Sequence, residues 1–228
     1  MFFFDPTMIL LIPALILAFY AQSKVRSAYA KYSQIPNSHG LTGAEVARAI
    51  LRHNGLHDVQ IEEVPGELSD HYDPRTKTVR LSTANYRERS IAAASVAAHE
   101  VGHAIQHAQA YMPLQLRHAI LPATNLGSWM AFPLFFIGLL FSTPFLMDLG
   151  IILFTGVVLF HVVTLPVEFN ASSRALKQLV NHGLVTPDEL TGARAVLNAA
   201  ALTYVAAATM AIMNLIRLLM LKNLSEDY

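Results

Sequence analysis

No cysteine occurs among the 228 residues. Disulfides and thiolate metal sites are therefore excluded, and any metal has to be held by His, Asp or Glu. Charge is scarce as well. Asp, Glu, Lys and Arg make up 14% of the chain, against about 25% in ordinary soluble domains. The charge present balances, with 16 basic and 16 acidic residues, so no basic surplus points to a nucleic-acid partner. Apolar residues fill the gap at 54%, and they are concentrated in runs.

Four stretches lack all four charged residue types for about the ~18 residues that a bilayer-spanning helix needs: 6–23, 118–147, 149–167 and 195–216. The first has no basic residue before it and a poor small-residue cleavage site at Tyr20-Ala21-Gln22-Ser23, which favours an uncleaved anchor over a signal peptide. Pro13 within it is expected to kink the helix. The second span is expected to start near Leu126, because Pro122 interrupts the segment before it. A tight hairpin over 145–150, with Asp148 at its tip, is expected to join it to the third.

Between the first and second spans the composition turns polar. Thr42 and Glu45 have the spacing of a capping box, which predicts a short helix from Ala44 to the Asn54-Gly55 stop. Residues 59–64 and 78–82 read as strands around a turn at 73–77, giving a small sheet of two or three strands. His71 and Tyr72 fall in the connection between them. Residues 90–110 read as an Ala-rich helix, 168–182 as a polar helix closed by Gly183, and Thr186-Pro187-Asp188-Glu189 as a helix start. The fold class expected is a mainly α membrane protein with about four transmembrane helices and a small α+β part. Its segments are an anchor (1–23), a catalytic part (24–122), a transmembrane hairpin (123–167), a further polar helix region (168–194) and a fourth span with its tail (195–228).

The chemistry lies in His99-Glu100-Val101-Gly102-His103. Histidines four apart leave one face of a helix a turn apart, so both imidazoles can reach a single Zn2+. Glu100 sits beside the first ligand. From there its carboxylate can act as general base toward a water without ligating the metal. Gly102 lets another element come close. The pattern would arise by chance about 0.02 times in a chain of this composition. It also interrupts an apolar helix, where unpaired His and Glu would be costly to bury.

A catalytic zinc site needs a third protein ligand. An extended motif would place a third histidine at position 109, which is Gln109. The best remaining candidate is Glu168, where the third span ends and a polar helix begins. Two crossings return the chain to the same membrane face, so Glu168 can meet His99 and His103. The bland alternative is an interfacial carboxylate ending a span.

The sequence resembles the YugP-like neutral zinc metallopeptidases of bacterial membranes over nearly its whole length. The resemblance is carried most specifically by Ser69-Asp70-His71-Tyr72-Asp73-Pro74-Arg75, by 97–107 around the motif, and by Pro166-Val167-Glu168-Phe169. It is more distantly similar to the HtpX and CAAX-prenyl protease class, which follows its motif with Glu-x-x-x-Asp, the Glu being the third zinc ligand. Glu168 matches that Glu, giving a gluzincin-like set, but Ser172 stands where the Asp would be. Asn170 or Ser172 is the candidate for the missing hydrogen bond.

His107, a further turn along, reads as a supporting or packing residue. His161 lies about 10 Å from Glu168 along its helix, too far to share a metal. Arg174, His71 and Tyr72 are candidates for stabilising an oxyanion. Strand 79–82 is expected to offer an edge over the metal to an extended substrate. The reading is a membrane-embedded zinc peptidase acting on membrane or membrane-associated proteins, with zinc on His99, His103 and Glu168 and with Glu100 as base. The alternative is a non-catalytic, metal-stabilised scaffold. Protein substrates and the lipid bilayer are the partners implied. The catalytic side is expected in the cytoplasm, because 14 of the 16 basic residues fall between the first and second spans or between the third and fourth. Asp5 and Asp227 are assigned to the opposite side.

Overall fold

A computed structural model describes residues 6–226; Asp5 and Asp227 lie outside them. The chain is mostly helical, in the order α1 (Ile12–Ser33), α2 (Gly43–His53), β1 (Gln60–Val64), β2 (His71–Asp73), β3 (Thr78–Ser82), α3 (Thr83–Arg87), α4 (Ile91–Ala108), α5 (Met112–Leu140), α6 (Pro144–Asn181) and α7 (Pro187–Glu226), with a 3-10 turn at Pro6–Leu11 before α1. Four helical segments are long and apolar enough to cross a bilayer: Pro6–Ser33, Met112–Leu140, Pro144–Asn181 and Pro187–Ser225. Large aromatic side chains on them stay exposed, such as Trp129 at 81% and Phe19 at 74%. Water would penalise such surfaces and lipid does not.

The described chain forms two compact units. One comprises Gln22–Leu114 and Val167–Leu202. Its core joins Val46 and Ile50 of α2, Val79 and Leu81 of β3, Ala97 and Val101 of α4, Leu179 of α6 and Leu197 of α7. The α2 capping box forms as the sequence predicts, with Thr42 and Glu45 each satisfying the other's backbone N–H. Ser90 caps α4 through the N–H of Ala93 at 3.1 Å. The alanines of α4 from Ala92 to Ala104 are buried almost completely, and their small size permits close approach on several sides.

The sheet has three strands, in the order β1-β3-β2, with β1 parallel and β2 antiparallel to β3. This corrects two expectations. Residues 79–82 form the central strand, because their both-face burial suits the middle of a sheet, and the edges belong to β1 and β2. His71 and Tyr72 lie on β2, not in a turn. Asp70 ties the sheet to α3 by accepting from Ser82 N and Asn85 Nδ2, both at 2.8 Å, and Tyr29 of α1 donates to Asn85 Oδ1 at 2.8 Å.

Within the described residues the other unit comprises 6–21, 115–166 and 203–226, built around Phe135, Phe154 and Leu218. Pro122 and Pro133 both lie inside α5, so Pro122 does not start a new element. Hydroxyls of Thr124 and Ser128 accompany it, bonding the carbonyls of Ile120 and Thr124 at 3.0 and 2.9 Å; apolar helices tolerate proline in such settings. Pro13 falls in the first turn of α1, where its missing N–H costs nothing. The hairpin break lies at Phe141-Ser142-Thr143, with Ser142 at φ 51°, and Pro144 opens α6. Asp148 is thus on the helix instead of at the tip, and its Oδ1 lies 2.5 Å from Lys222 Nζ. The 168–182 helix and the 186–189 start do form, but each continues into a span without a break. Pro166 is accommodated inside α6, and at ~1.5 Å per residue α6 exceeds a ~30 Å hydrocarbon layer.

Candidate metal centre

Helix α4 presents His99 and His103 on consecutive turns, with ring centroids 4.8 Å apart and the planes at 86°. Helix α6 supplies Glu168, 2% exposed. Its Oε2 lies 3.3 Å from His99 Nε2 and 3.6 Å from His103 Nε2. The three residues are the cluster of metal-ligating type among the described residues, with one ligand atom from each within 4.8 Å of the others. Donors ~2.0–2.2 Å from one ion at tetrahedral angles lie roughly 3.3–3.5 Å apart. The two separations from Glu168 Oε2 match that spacing, and the three donors together lie within 4.8 Å of one another.

Close approach of the two helices makes this meeting possible. Gly102 faces the backbone of Ala171, and a Cβ there would sit 2.7 Å from the Ala171 carbonyl oxygen. With the helices this near, residues on either side of the contact interlock. Ser172 Oγ lies 3.2 Å from His99 Nδ1. His103 Nδ1 is 3.0 Å from Gln106 Oε1. Each ring thus has a partner on Nδ1, which orients it and leaves Nε2 toward the carboxylate.

Gln106 is the residue that sequence reasoning missed. It is fully buried, and its Nε2 donates to Val167 O at 2.8 Å and Asn170 Oδ1 at 3.0 Å. The available signal was its position three residues after His103, polar within an apolar helix. Asn170 takes a second bond from Arg174 Nε at 2.6 Å. Arg174 also donates to Gln109 Oε1 at 2.6 Å and covers the Tyr111 ring at 5.8 Å. Of the two residues considered for the missing Asp, Ser172 reaches a histidine, while Asn170 holds Gln106. The guanidinium of Arg174 is committed to this outer framework.

Glu100 is 8% exposed. Burial pushes its carboxyl above the usual range, and the nearby charge of Glu168 adds to this, while His99 and His103 pull the other way. Burial alone would lower His103, but the Glu168 carboxylate outweighs it and the imidazole is raised. The pocket therefore favours positive charge at this point, which suits a cation.

Tyr72 Oη lies 2.9 Å from His107 Nδ1, so His107 supports β2 on α4 and lies outside the ligand cluster. Burial, helped by Asp58 and Asp73, pushes the Tyr72 phenol to about 12. His71 is exposed and bonds the Ser69 carbonyl through Nδ1 at 2.9 Å.

A model of the family described as "Putative neutral zinc metallopeptidase" matches residues 7–223. The chain is 53% identical over 212 residues to the "Putative membrane protease YugP" of Bacillus subtilis (strain 168), an alignment covering 93% of this chain and 94% of that one. No solved structure matches the chain. A match across almost the full length, with a zinc-compatible cluster inside it, identifies the chain as a member of the neutral zinc metallopeptidase family.

Proposed function

We propose that the chain is a multi-pass membrane peptidase in which His99, His103 and Glu168 hold zinc and Glu100 is the general base. The observation that carries this reading is the convergence of two Nε2 atoms from one helix on a single Glu168 oxygen, at 3.3 and 3.6 Å. Zinc, when bound, supplies the Lewis acidity that makes a water nucleophilic and the scissile carbonyl electrophilic.

The remaining work falls to this chain's own groups. Glu100 accepts the proton of the attacking water and delivers it to the amide nitrogen as the C–N bond breaks, leaving a carboxylate and an amine. Ser172 and Gln106 keep the rings of His99 and His103 in one orientation. The Tyr72 hydroxyl, protonated throughout the neutral range, is a donor on the β2 edge. Membrane or membrane-associated proteins are the substrate class that suits a peptidase on apolar helices. The catalytic side faces the cytoplasm.

Glu100→Gln tests the assignment. The amide is isosteric but cannot take the proton, so zinc content should stay at the wild-type level while casein hydrolysis falls by about 10²–10⁴-fold. Turnover near the wild-type rate would remove Glu100 from the mechanism. A metal-stabilised scaffold would show no zinc-dependent hydrolysis in either protein.

A further inference from the structure

Helices α1 and α7 enclose a groove of about 440 Å³, within the ~300–1,000 Å³ range of small-molecule sites. Lys24, Ser27 and Lys31 line it from α1, and Asn198 lines it from α7. Lys24 and Ser27 are three apart and Ser27 and Lys31 four apart, so all three leave one face of the helix. Ser27 therefore lies between the two lysines along that face. Ala28 and Ala199 form a low floor, and the Lys31 ammonium lies 5.1 Å from the centre of the Tyr32 ring. Among the described residues no acidic side chain lines the groove.

Its level along the helices is informative. Lys24 is the first charged residue after the uncharged run of α1, and Ala195, also lining the groove, is the first residue of the uncharged run of α7. The groove therefore sits where two apolar runs meet polar sequence, the depth of a lipid headgroup. Lysine is a point-charge binder of phosphate, and near a membrane surface each adds about a five-fold preference for anionic lipid.

We infer that this groove binds the phosphate headgroup of an anionic phospholipid, with Lys24 and Lys31 on the phosphate and Ser27 and Asn198 on the polar headgroup. The inference rests on the membrane-spanning reading of α1 and α7. It is independent of the zinc chemistry.

The full chain in a neutral detergent is titrated with dioctanoyl phosphatidylglycerol and, separately, dioctanoyl phosphatidylcholine, reading the thermal midpoint. Phosphatidylglycerol should raise the midpoint and phosphatidylcholine should not. Lys24→Gln with Lys31→Gln should weaken the apparent affinity on the order of thirty-fold with unchanged circular dichroism. If that pair does not fold, Lys31→Gln alone decides, with about five-fold weakening expected. Ala199→Leu, which fills the floor without altering charge, should also weaken binding. An unchanged response in the lysine variants, an equal response to phosphatidylcholine, or the same effect from glycerol 3-phosphate alone would each overturn the headgroup site. Alkaline carbonate washing of membranes checks the underlying reading separately. Release of the chain would remove that reading, whereas a retained chain without lipid preference overturns only the groove.

Discussion

Gly102 of α4 lies against the carbonyl oxygen of Ala171 of α6, so close that a Cβ on the glycine would come to 2.7 Å from it. The obstacle is backbone and cannot rotate away. The helices must separate to admit any side chain, and their separation sets the distance from Glu168 to both histidines. Gly102→Ala should therefore lower zinc affinity about five-fold or more, although alanine is the better helix former, because overpacking typically costs about 1–3 kcal/mol. Zinc competition against a chelator measures it. Wild-type affinity would mean that the contact does not position the ligands.

The groups behind the proposed zinc ligands give a graded series. Glu168→Ala should abolish tight zinc binding. Ser172→Ala, which removes the partner of His99 Nδ1, and Gln106→Leu, which removes that of His103, should each lower zinc affinity about 10–100-fold. Gln106→Leu should be the worse, since it also removes one donor each from the Val167 carbonyl and Asn170. Zinc retained at full occupancy in Glu168→Ala would place the third ligand elsewhere.

Tyr72 provides a pH signature. Its phenol is raised to about 12, first by burial and then by Asp58 and Asp73. The folded value lies above the unfolded one near 10. The contribution to stability is therefore fully present below about 10 and lost as pH rises through about 12. Tyrosinate absorbance of wild type minus Tyr72→Phe should titrate near pH 12. A difference curve centred near pH 10 would contradict the buried, His107-bonded hydroxyl.

Orientation can be read with single cysteines in a chain that has none. Glu67→Cys lies in the polar part between β1 and β2, and Ser142→Cys at the break between α5 and α6. On intact cells a membrane-impermeant thiol reagent should label position 142 and spare position 67. The reverse pattern would invert the proposed topology. The 141–143 break carries no Lys or Arg, as an external hairpin should.

The chain's own order of residues determined a good deal. Helical periodicity is local, so His99 and His103 had to share a face wherever α4 packed, and Glu100 had to sit beside them. Scarcity of charge over four runs was enough to mark the four helices long and apolar enough to cross a bilayer, and Thr42 with Glu45 marked the start of α2. Tertiary structure decided the rest. That Glu168 meets both histidines depends on α6 resting on α4 at Gly102 and Ala171, a contact across 69 residues of chain. Strand order was also hidden: 79–82 became the centre of the sheet because β1 and β2 both found it, and partner choice is not written in one strand's alternation. Gln106 carried its meaning only once Val167 and Asn170 stood opposite it. A buried amide's role is set by the donors and acceptors that packing brings within reach, and these come from elsewhere in the chain.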